Sequence, residues 1–368
     1  MGLTALQAHG EGLGAADAGE YRGATTATRF GDPQAEFSAL REGRGVYDLG
    51  FRAKISLTGG DRVRWLNGMV TNNIRDLAEG LGVYAFLLNP QGRILGDVYA
   101  YNRGGSITVD TDCGQVEKIL ATFDHFIIMD DVEVKDLSAE VTALGIGGPK
   151  ADAVLADAGF AVGPMHALQA QTMSWHGVDC TVVRGEDEQN PAYEIWLAPA
   201  NVRKAWDALR NAGATVVGSE ALEMHRIVSG IPRYGVDIRE RDLPQETEQA
   251  RALNFNKGCY VGQEIVERIR SRGAVHRKFS GFLCEGDSQI APGAKIVAAE
   301  KEVGEITSAA SVHFEDQDKT IALGYIRREV GTPGREVMIG TQKAVVIQVP
   351  VTNGVLSRGE SALERRPA

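Results

Sequence analysis

The sequence predicts an α+β protein in which two α+β units are followed by a small C-terminal β-barrel or sandwich. The chain has 368 residues, more than one hydrophobic core usually supports, so two or three domains are expected. Strand and helix patterns are mixed up to about residue 275, whereas beyond residue 278 short apolar strands are separated by Gly and Pro at regular spacing. With 43% hydrophobic and 24% charged residues, most of the chain should fold.

The predicted boundaries divide the chain into five segments. Residues 1–29 are expected to form a flexible leader, and residues 353–368 a polar tail. Between them we expect an N-terminal α+β unit at 30–130, a second α+β unit at 131–275 and the C-terminal β-barrel at 276–352.

Alternating apolar residues and turn residues define the first unit. Asp61 follows a Gly-Gly turn and is placed to cap the helix that carries Trp65. The tetrapeptide Asn-Pro-Gln-Gly at 89–92 predicts a hairpin, because these residues supply the bends of a tight turn. The predicted elements are a strand from residue 54, a helix after residue 61, hairpin strands at 84–88 and 94–101, a strand at 107–110 and a helix at 115–126.

The same criteria define the second unit and the barrel. The second unit is predicted to contain strands at 132–136, 140–146, around 168–184 and at 193–197, with helices after Pro149, at 201–212 and at 219–229. The barrel strands are predicted at 279–284, 294–298, 304–308, 321–326, 337–339 and 344–349. The glycine-rich run at 145–150 lacks the Gly-Lys-Ser/Thr ending of a phosphate loop, so we interpret it as a strand-turn-helix connection with Pro149 at the first helical position.

Charge and cysteine usage narrow the function. A net charge of −10 opposes non-specific binding to a polyanion, so no direct contact with nucleic acid is expected. The four cysteines, at 113, 180, 259 and 284, form no C-x-x-C pair and indicate a reducing compartment, and the seven histidines show no metal-binding spacing. The first thirty residues lack the apolar core of a secretory signal and no run reaches the length of a membrane span, so a cytoplasmic location without a membrane partner is expected.

One octapeptide is the strongest local signal, and it reads Lys257, Gly258, Cys259, Tyr260, Val261, Gly262, Gln263, Glu264. Two glycines within five residues indicate a tight turn or a close approach to the backbone. Cys259 lies beside a lysine and just before a helical pattern, and both features favour the thiolate, which predicts a reactive or redox-sensitive cysteine. The alternative is that Cys259 packs as a small buried hydrophobic residue.

Basic residues follow the octapeptide at 268, 270, 272, 276, 277 and 278. Cations in the last turn of a helix before a glycine are ordinary capping residues, and we favour this interpretation. The alternative is an anion site that meets the negative tail of a ligand.

The octapeptide K-G-C-Y-V-G-Q-E closely resembles the signature of the YgfZ-type folate-binding proteins, which are relatives of the glycine-cleavage T-protein, an aminomethyltransferase. Other segments resemble the same superfamily: W-L-N-G-M-V-T-N-N-I at 65–74, L-N-P-Q-G-R-I-L-G-D at 88–97, G-I-P-R-Y-G-V-D-I at 230–238, L-P-Q-E at 243–246, V-G-E-I-T-S at 303–308 and I-A-L-G-Y-I at 321–326. The resemblance covers roughly residues 30–352 and implies an aminomethyltransferase-like, folate-binding body.

The resemblance also implies a set of site residues for tetrahydrofolate, which the superfamily binds in a central channel between the domains. Asp97 matches the carboxylate near the reactive folate nitrogens and is, with Cys259, a catalytic candidate. Glu194 matches the glutamate that pairs with the pterin edge, where a carboxylate offers two acceptors to neighbouring N–H donors. Arg226 and Tyr234 match positions that border the channel. Without the resemblance, Asp97 and Glu194 would be interpreted as solvated carboxylates at strand ends.

Three functions follow from the resemblance. The first is a tetrahydrofolate-binding accessory protein that supports the assembly or repair of iron-sulfur enzymes, with iron-sulfur client proteins as partners. The alternative is a tetrahydrofolate-dependent aminomethyltransferase or demethylase. T-proteins usually carry an Asp-Ser-His-Met-like run where residues 47–52 read Y-D-L-G-F-R, without a histidine. The third is a folate-dependent effect on tRNA modification, to which the acidic charge is unfavourable if RNA is contacted directly.

Overall fold

The computed structural model of the chain describes residues 2–10, 12–187, 190–273, 275–286, 288–314 and 317–351. The polar tail predicted for 353–368 lies outside these residues. The chain forms two compact units. The first contains the described residues of Met1–Leu87, Gly96–Leu222 and Arg251–Val261, and the second those of Leu88–Leu95, Glu223–Ala250 and Gly262–Ala368. The domain boundaries expected from the sequence remain predictions.

The first unit consists of groups of one to three strands that are separated by helices along the chain. Its elements are α1 (Ala5–Ala8), β1 (Asp17–Tyr21), β2 (Ala24–Arg29), α2 (Pro33–Glu42), β3 (Gly45–Asp48), β4 (Arg52–Thr58), α3 (Arg62–Met69), β5 (Gly82–Leu88), β6 (Ile94–Asn102), β7 (Ile107–Asp112), α4 (Val116–Phe126), β8 (Glu133–Asp136), β9 (Thr142–Gly147), α5 (Ala151–Asp157), β10 (Ala170–Trp175), β11 (Val178–Arg184), β12 (Ala192–Leu197), α6 (Val202–Asn211), β13 (Thr215–Val217) and the start of α7 (Ser219–Val228). The hairpin β5–β6 was predicted from its turn residues and is confirmed.

Two sheets organise the first unit, one with the strand order β5-β6-β7-β4-β8 and the other with the order β10-β11-β12-β9-β3-β13. Tyr101 of β6 and Trp196 of β12 lie in one cluster of buried residues, with their ring centroids 5.1 Å apart. The two sheets therefore share the hydrophobic core that contains Tyr101 and Trp196. A second core contains the fully buried Trp206 of α6.

The flexible leader expected at 1–29 differs from the structure, because its described residues form α1 and the hairpin β1–β2. Leu6 and Leu13 are 2% and 3% exposed in the core of the first unit. The buried carboxylate of Asp48 accepts hydrogen bonds from the hydroxyls of Thr4 and Thr26. A few isolated leucines among Gly and Ala give no helical or strand period, so the sequence pattern alone does not reveal this packing.

Two predicted helix starts also differ in detail. Asp61 precedes α3, but its side chain makes no capping hydrogen bond and instead accepts from the backbone N–H of Asp131 at 3.0 Å. Its φ of −92° and ψ of −5° are helical, whereas a capping residue usually has extended angles. Helix α5 begins at Ala151, so Pro149 lies before the helix rather than at its first position. Gly148, at φ 109°, still turns the chain at this point.

The second unit contains the closed barrel that the sequence predicts. Its elements are the end of α7, α8 (Gln263–Arg272), β14 (Arg277–Glu285), β15 (Lys295–Ala298), β16 (Lys301–Phe314), β17 (Gln317–Arg327), β18 (Glu336–Ile339) and β19 (Gln342–Ile347). The strands follow the order β14-β17-β16-β15-β18-β19, and β19 pairs with β14 to close the barrel. Closure excludes the sandwich alternative and confirms the α+β fold with a C-terminal barrel.

No helix among the described residues is long and apolar enough to cross a membrane.

Candidate functional site

Asp97 lies on β6 in the first unit, where hydrogen bonds fix both carboxylate oxygens. The Tyr84 hydroxyl donates to Oδ2 at 2.7 Å, and the Gln115 side-chain amide donates to Oδ1 at 2.8 Å. Burial raises the pKa of Asp97, Asp112 raises it further, and the two hydrogen bonds and Arg52 oppose the increase. Asp97 is thus an oriented carboxyl group whose protonation is favoured by its surroundings.

Opposite charges face each other across the neighbouring strands β4 and β7. In the antiparallel register, Arg52 pairs with Asp112 and Lys54 with Asp110. Lys54 Nζ lies 2.7 Å from Asp110, and Arg52 bridges both aspartates at 2.5 and 2.6 Å. Residues two apart in a strand lie on the same face, so these four side chains form one buried cluster, which we call the ladder.

Glu194 lies on β12 of the other sheet and is near the ladder. The indole N–H of Trp196 donates to Oε2 at 2.7 Å, whereas Oε1 has no hydrogen-bond partner among the described residues. Lys54 Nζ lies 4.7 Å from the Trp196 ring. Burial raises the pKa of Glu194 and Asp110 raises it further, while Lys54 and Arg52 oppose the increase. Arg52 therefore acts on the pKa of both Asp97 and Glu194.

Aromatic rings and one arginine lie beside Asp97. The Tyr84 and Tyr99 ring centroids are 4.9 Å apart. The Arg251 guanidinium lies 4.2 Å from the Tyr84 ring centroid and donates to the Tyr99 hydroxyl at 3.3 Å. Arg251 also pairs with Glu186, from the loop after β11. The side chains of Arg251 and Glu186 are 33% and 30% exposed, so this ion pair lies where the group of aromatic rings beside Asp97 meets the solvent.

The first five residues of the octapeptide, Lys257 to Val261, lie in the first unit, where the lysine anchors them. Lys257 is 1% exposed, and its Nζ donates to the carbonyl oxygens of Asn67 and Val70 at the end of α3. Burial lowers the pKa of Lys257 to about 7, with a smaller contribution from Arg75. Cys259 is exposed, which removes the alternative that it packs as a buried residue. The lysine beside it in the sequence is directed to backbone carbonyls.

The last three octapeptide residues, Gly262, Gln263 and Glu264, lie at the start of α8 in the second unit. Gly262 has a φ of 80°, and a Cβ atom there would lie 2.5 Å from the carbonyl oxygen of Asn89. Glycine is therefore required by both the backbone angle and the close approach. Gln263 and Glu264 form the first turn of α8, where Glu264 is favourably placed for the helix dipole.

The structure places Arg226 and Tyr234 in the second unit, whereas Asp97 and Glu194 belong to the first. Arg226 is 4% exposed, and its guanidinium donates to Asp237 at 2.6 Å, to Glu223 at 2.7 Å and to the Ser308 hydroxyl at 2.9 Å. Tyr234 is half-buried and forms an isolated bridge with Ile238. A role of either residue in binding folate remains a prediction.

Several residues around Asp97 and Glu194 were missed by the sequence analysis, namely Arg52, Lys54, Tyr84, Tyr99, Asp110, Asp112, Gln115 and Arg251. A signal for the ladder was present, because Arg52 and Lys54 are two apart in the chain, as are Asp110 and Asp112. The strands predicted from residue 54 and at 107–110 left out Arg52 and Asp112, which the observed strands include. Charged residues on one face of two strands indicate a functional or paired surface. Nothing in the local sequence distinguishes Arg251.

Two family models together match most of the chain. The GCVT N-terminal domain matches residues 9–257, and the glycine cleavage T-protein C-terminal barrel domain matches residues 277–356. The first match includes Asp97, Glu194 and the first residue of the octapeptide.

Similar proteins include enzymes from bacteria and a plant. An aminomethyltransferase of Rubrobacter xylanophilus is 28% identical over 336 residues, which are 90% of this chain and 89% of that protein. A putative chloroplastic transferase of Arabidopsis thaliana is 27% identical over 335 residues, or 87% of this chain and 74% of that protein. The solved glycine cleavage system aminomethyltransferase T from Bartonella henselae has a TM-score of 0.84 at 22% identity and covers 96% of this chain and 98% of that one, which shows the fold.

Proposed function

This chain belongs to the glycine cleavage T-protein family, and we propose that it is a tetrahydrofolate-dependent one-carbon transferase of the aminomethyltransferase type. The observation that carries the proposal is the pair of half-buried carboxylates, Asp97 and Glu194, which lie near the ladder and whose pKa values are both raised, chiefly by burial. The names of the relatives favour this function over an accessory role in the assembly or repair of iron-sulfur enzymes.

The chemistry of Glu194 fits the edge of a pterin. Its Oε1 has no partner among the described residues, and Trp196 holds Oε2, so the carboxylate is oriented with acceptor capacity remaining. A pterin offers adjacent amino and ring N–H donors, and a carboxylate accepts from both in a bidentate arrangement. Tyr84 and Tyr101 are 3% and 2% exposed, so the apolar ring surface nearby comes from the half-buried Tyr99, which favours a flat heterocycle.

Asp97 is the candidate acid or base. Tetrahydrofolate, when bound, supplies the nitrogen atoms that accept the one-carbon unit. The raised pKa of Asp97 brings it closer to neutral pH, where a carboxyl group exchanges protons more effectively. Tyr84 and Gln115 hold the carboxylate in one orientation, so the proton resides at a defined position. In this proposal Asp97 moves a proton and Glu194 orients the ligand.

Binding of tetrahydrofolate to the full chain, measured by calorimetry, tests the proposal. We expect saturable binding to the wild type and a loss of at least roughly tenfold in Glu194→Gln, because a neutral amide accepts less strongly and places a donor against donors. Glu133→Gln, at an exposed carboxylate of β8, is the matched control and should bind like the wild type. An absence of binding to the wild type, or equal binding by Glu194→Gln, would overturn it.

Transfer itself needs a second measurement. Incubation with tetrahydrofolate and an aminomethyl or N-methyl donor should form methylenetetrahydrofolate, and Asp97→Asn should slow the reaction by roughly 10²–10⁴-fold while still binding folate. If none of the donors tested yields methylenetetrahydrofolate, the transferase function is contradicted.

The second candidate is the accessory role for iron-sulfur enzymes, which the exposed thiol of Cys259 favours. An exposed cysteine is accessible to a client protein or an oxidant. Deletion of the gene should lower the activity of iron-sulfur enzymes, and a Cys259→Ala copy should fail to restore it. Cys113→Ala, at a half-buried cysteine, is the control copy and should restore it. Full rescue by Cys259→Ala would remove the role of this cysteine.

A further inference from the structure

An open polar cavity of about 480 Å³ lies at the surface of the barrel, wholly in the second unit. Four cationic and two acidic side chains contribute to its lining, which consists of Arg241, Arg277, Lys295, Glu302, Val303, Gly304, Glu305, Tyr325 and Arg327. Val303 is the single aliphatic side chain in this set, so the cavity suits a polar ligand rather than an apolar one.

Both acidic side chains of the lining are already paired with cations. Glu305 accepts hydrogen bonds from Arg241 and from Arg239, which lies next to the cavity. Glu302 pairs with Lys295 at 2.8 Å. Glu302 and Glu305 therefore pair with Lys295 and Arg241. In the described part of the chain they make no ion pair with the other two arginines of the lining, Arg277 and Arg327.

The other two arginines face each other across β14 and β17. Arg277 and Arg327 are direct partners in the antiparallel register, and like charges in that position repel each other. Arg277 is bound by Asp242 at 2.7 Å and by Glu246 at 3.0 Å. The Arg327 guanidinium has no hydrogen-bond or ion-pair partner among the described residues. Because two carboxylates already balance Arg277, Arg327 is the cation of the lining that remains available to an anion.

Tyr325, two residues before Arg327 on β17, carries a second unused donor. Its side chain is 1% exposed, and its hydroxyl is buried without a hydrogen-bond partner among the described residues. The Arg277 guanidinium lies 4.7 Å from its ring centroid. A buried polar group without a partner is unfavourable, and such groups in native structures often accommodate a water or a ligand.

We propose that this cavity is a binding site for a small anion that carries phosphate or carboxylate groups, held by Arg327 and the hydroxyl of Tyr325. The planar guanidinium of Arg327 matches both groups with two parallel N–H donors. Arg277, held by Asp242 and Glu246, borders the site on the neighbouring strand. The site requires no residue of the first unit and stands independently of the proposed function.

Calorimetric titration of the full chain with inorganic phosphate, pyrophosphate and citrate at low salt tests the site. We expect saturable binding of at least one of them and a loss of roughly tenfold or more in Arg327→Gln. Arg335→Gln removes an equal charge from an exposed barrel position outside the cavity and should change the affinity by less than about twofold. Binding of the phosphates alone identifies a phosphate site, and binding of citrate alone a carboxylate site.

Tyr325→Phe separates binding from folding. Removal of an unpaired buried hydroxyl should leave the melting temperature unchanged or slightly higher, while the anion binds severalfold more weakly. Binding of none of the three anions by the wild type overturns the site, as does equal weakening by Arg335→Gln and Arg327→Gln. Tetrahydrofolate binding should stay intact in Arg327→Gln, so a failure of this site is distinguishable from a failure of the proposed function.

Discussion

Glu194 in the first unit and Glu305 in the barrel are the same residue type under opposite influences. Burial raises the pKa of Glu194, and Asp110 adds to the increase. Burial also acts upward on the pKa of Glu305, but Arg239, Arg241 and Lys295 outweigh it, so that pKa falls below the usual range. The barrel therefore favours the ionised form of Glu305, whereas burial in the first unit disfavours that form of Glu194. Carboxylates of the second kind are concentrated at functional sites.

The difference arises from how each region distributes its cations. In the first unit, Arg52 and Lys54 are committed to Asp110 and Asp112 by register, so Glu194 receives only their longer-range field. In the barrel, Glu305 is contacted directly by two arginines. Because the charges of the ladder pair with each other, Glu194 remains available for a ligand. The cost is a lower stability of the folded protein, which is common at binding sites.

The largest effect should come from removing the cation at the centre of the ladder. Arg52→Met removes the cation that Asp110 and Asp112 share in the protein interior. Breaking a buried ion pair in this way typically lowers the free energy of unfolding by about 3–5 kcal/mol. Urea denaturation measures the change. Arg241→Met in the barrel is the matched comparison, because its side chain is 57% exposed, and it should lose about 1 kcal/mol or less. Similar losses for both variants would break the comparison.

A smaller effect of opposite sign is expected from Glu194→Gln. Because the pKa is raised by folding, the folded state keeps its proton to a higher pH than the unfolded state does, and the wild type loses stability as pH rises through that interval. Glutamine does not titrate, so the variant should gain about 0.5–2 kcal/mol at neutral pH, with the gain vanishing below the ordinary glutamate range. Thermal melts at pH 4 and pH 7 measure this. A loss of stability at pH 7 would contradict it.

The sequence predicted the elements that carry both glutamates but not their surroundings. Strand β12 and the hairpin of Asp97 follow from alternation and turn chemistry, and the choice of Asp97 and Glu194 followed from the resemblance to the family. The pairing of Arg52 with Asp112 joins residues 60 apart and depends on the register of two strands, which no local pattern specifies. The packing of Leu6 and the position of Arg251 depend likewise on contacts between distant segments.

The smallest effect is expected in the barrel, from Glu305→Gln. The pKa of Glu305 is lowered by folding, so its stabilisation is present above the ordinary glutamate pKa and is lost as pH falls through the folded-state value. Because this side chain is 24% exposed and its partner Arg241 more so, the variant should lose only about 0–1 kcal/mol at pH 7, and less in high salt. Urea denaturation at pH 7 with and without added salt measures it. A gain in stability like that of Glu194→Gln would mean that the two glutamates do not differ, whereas a small, salt-sensitive loss would confirm that the barrel stabilises the charge that the first unit does not.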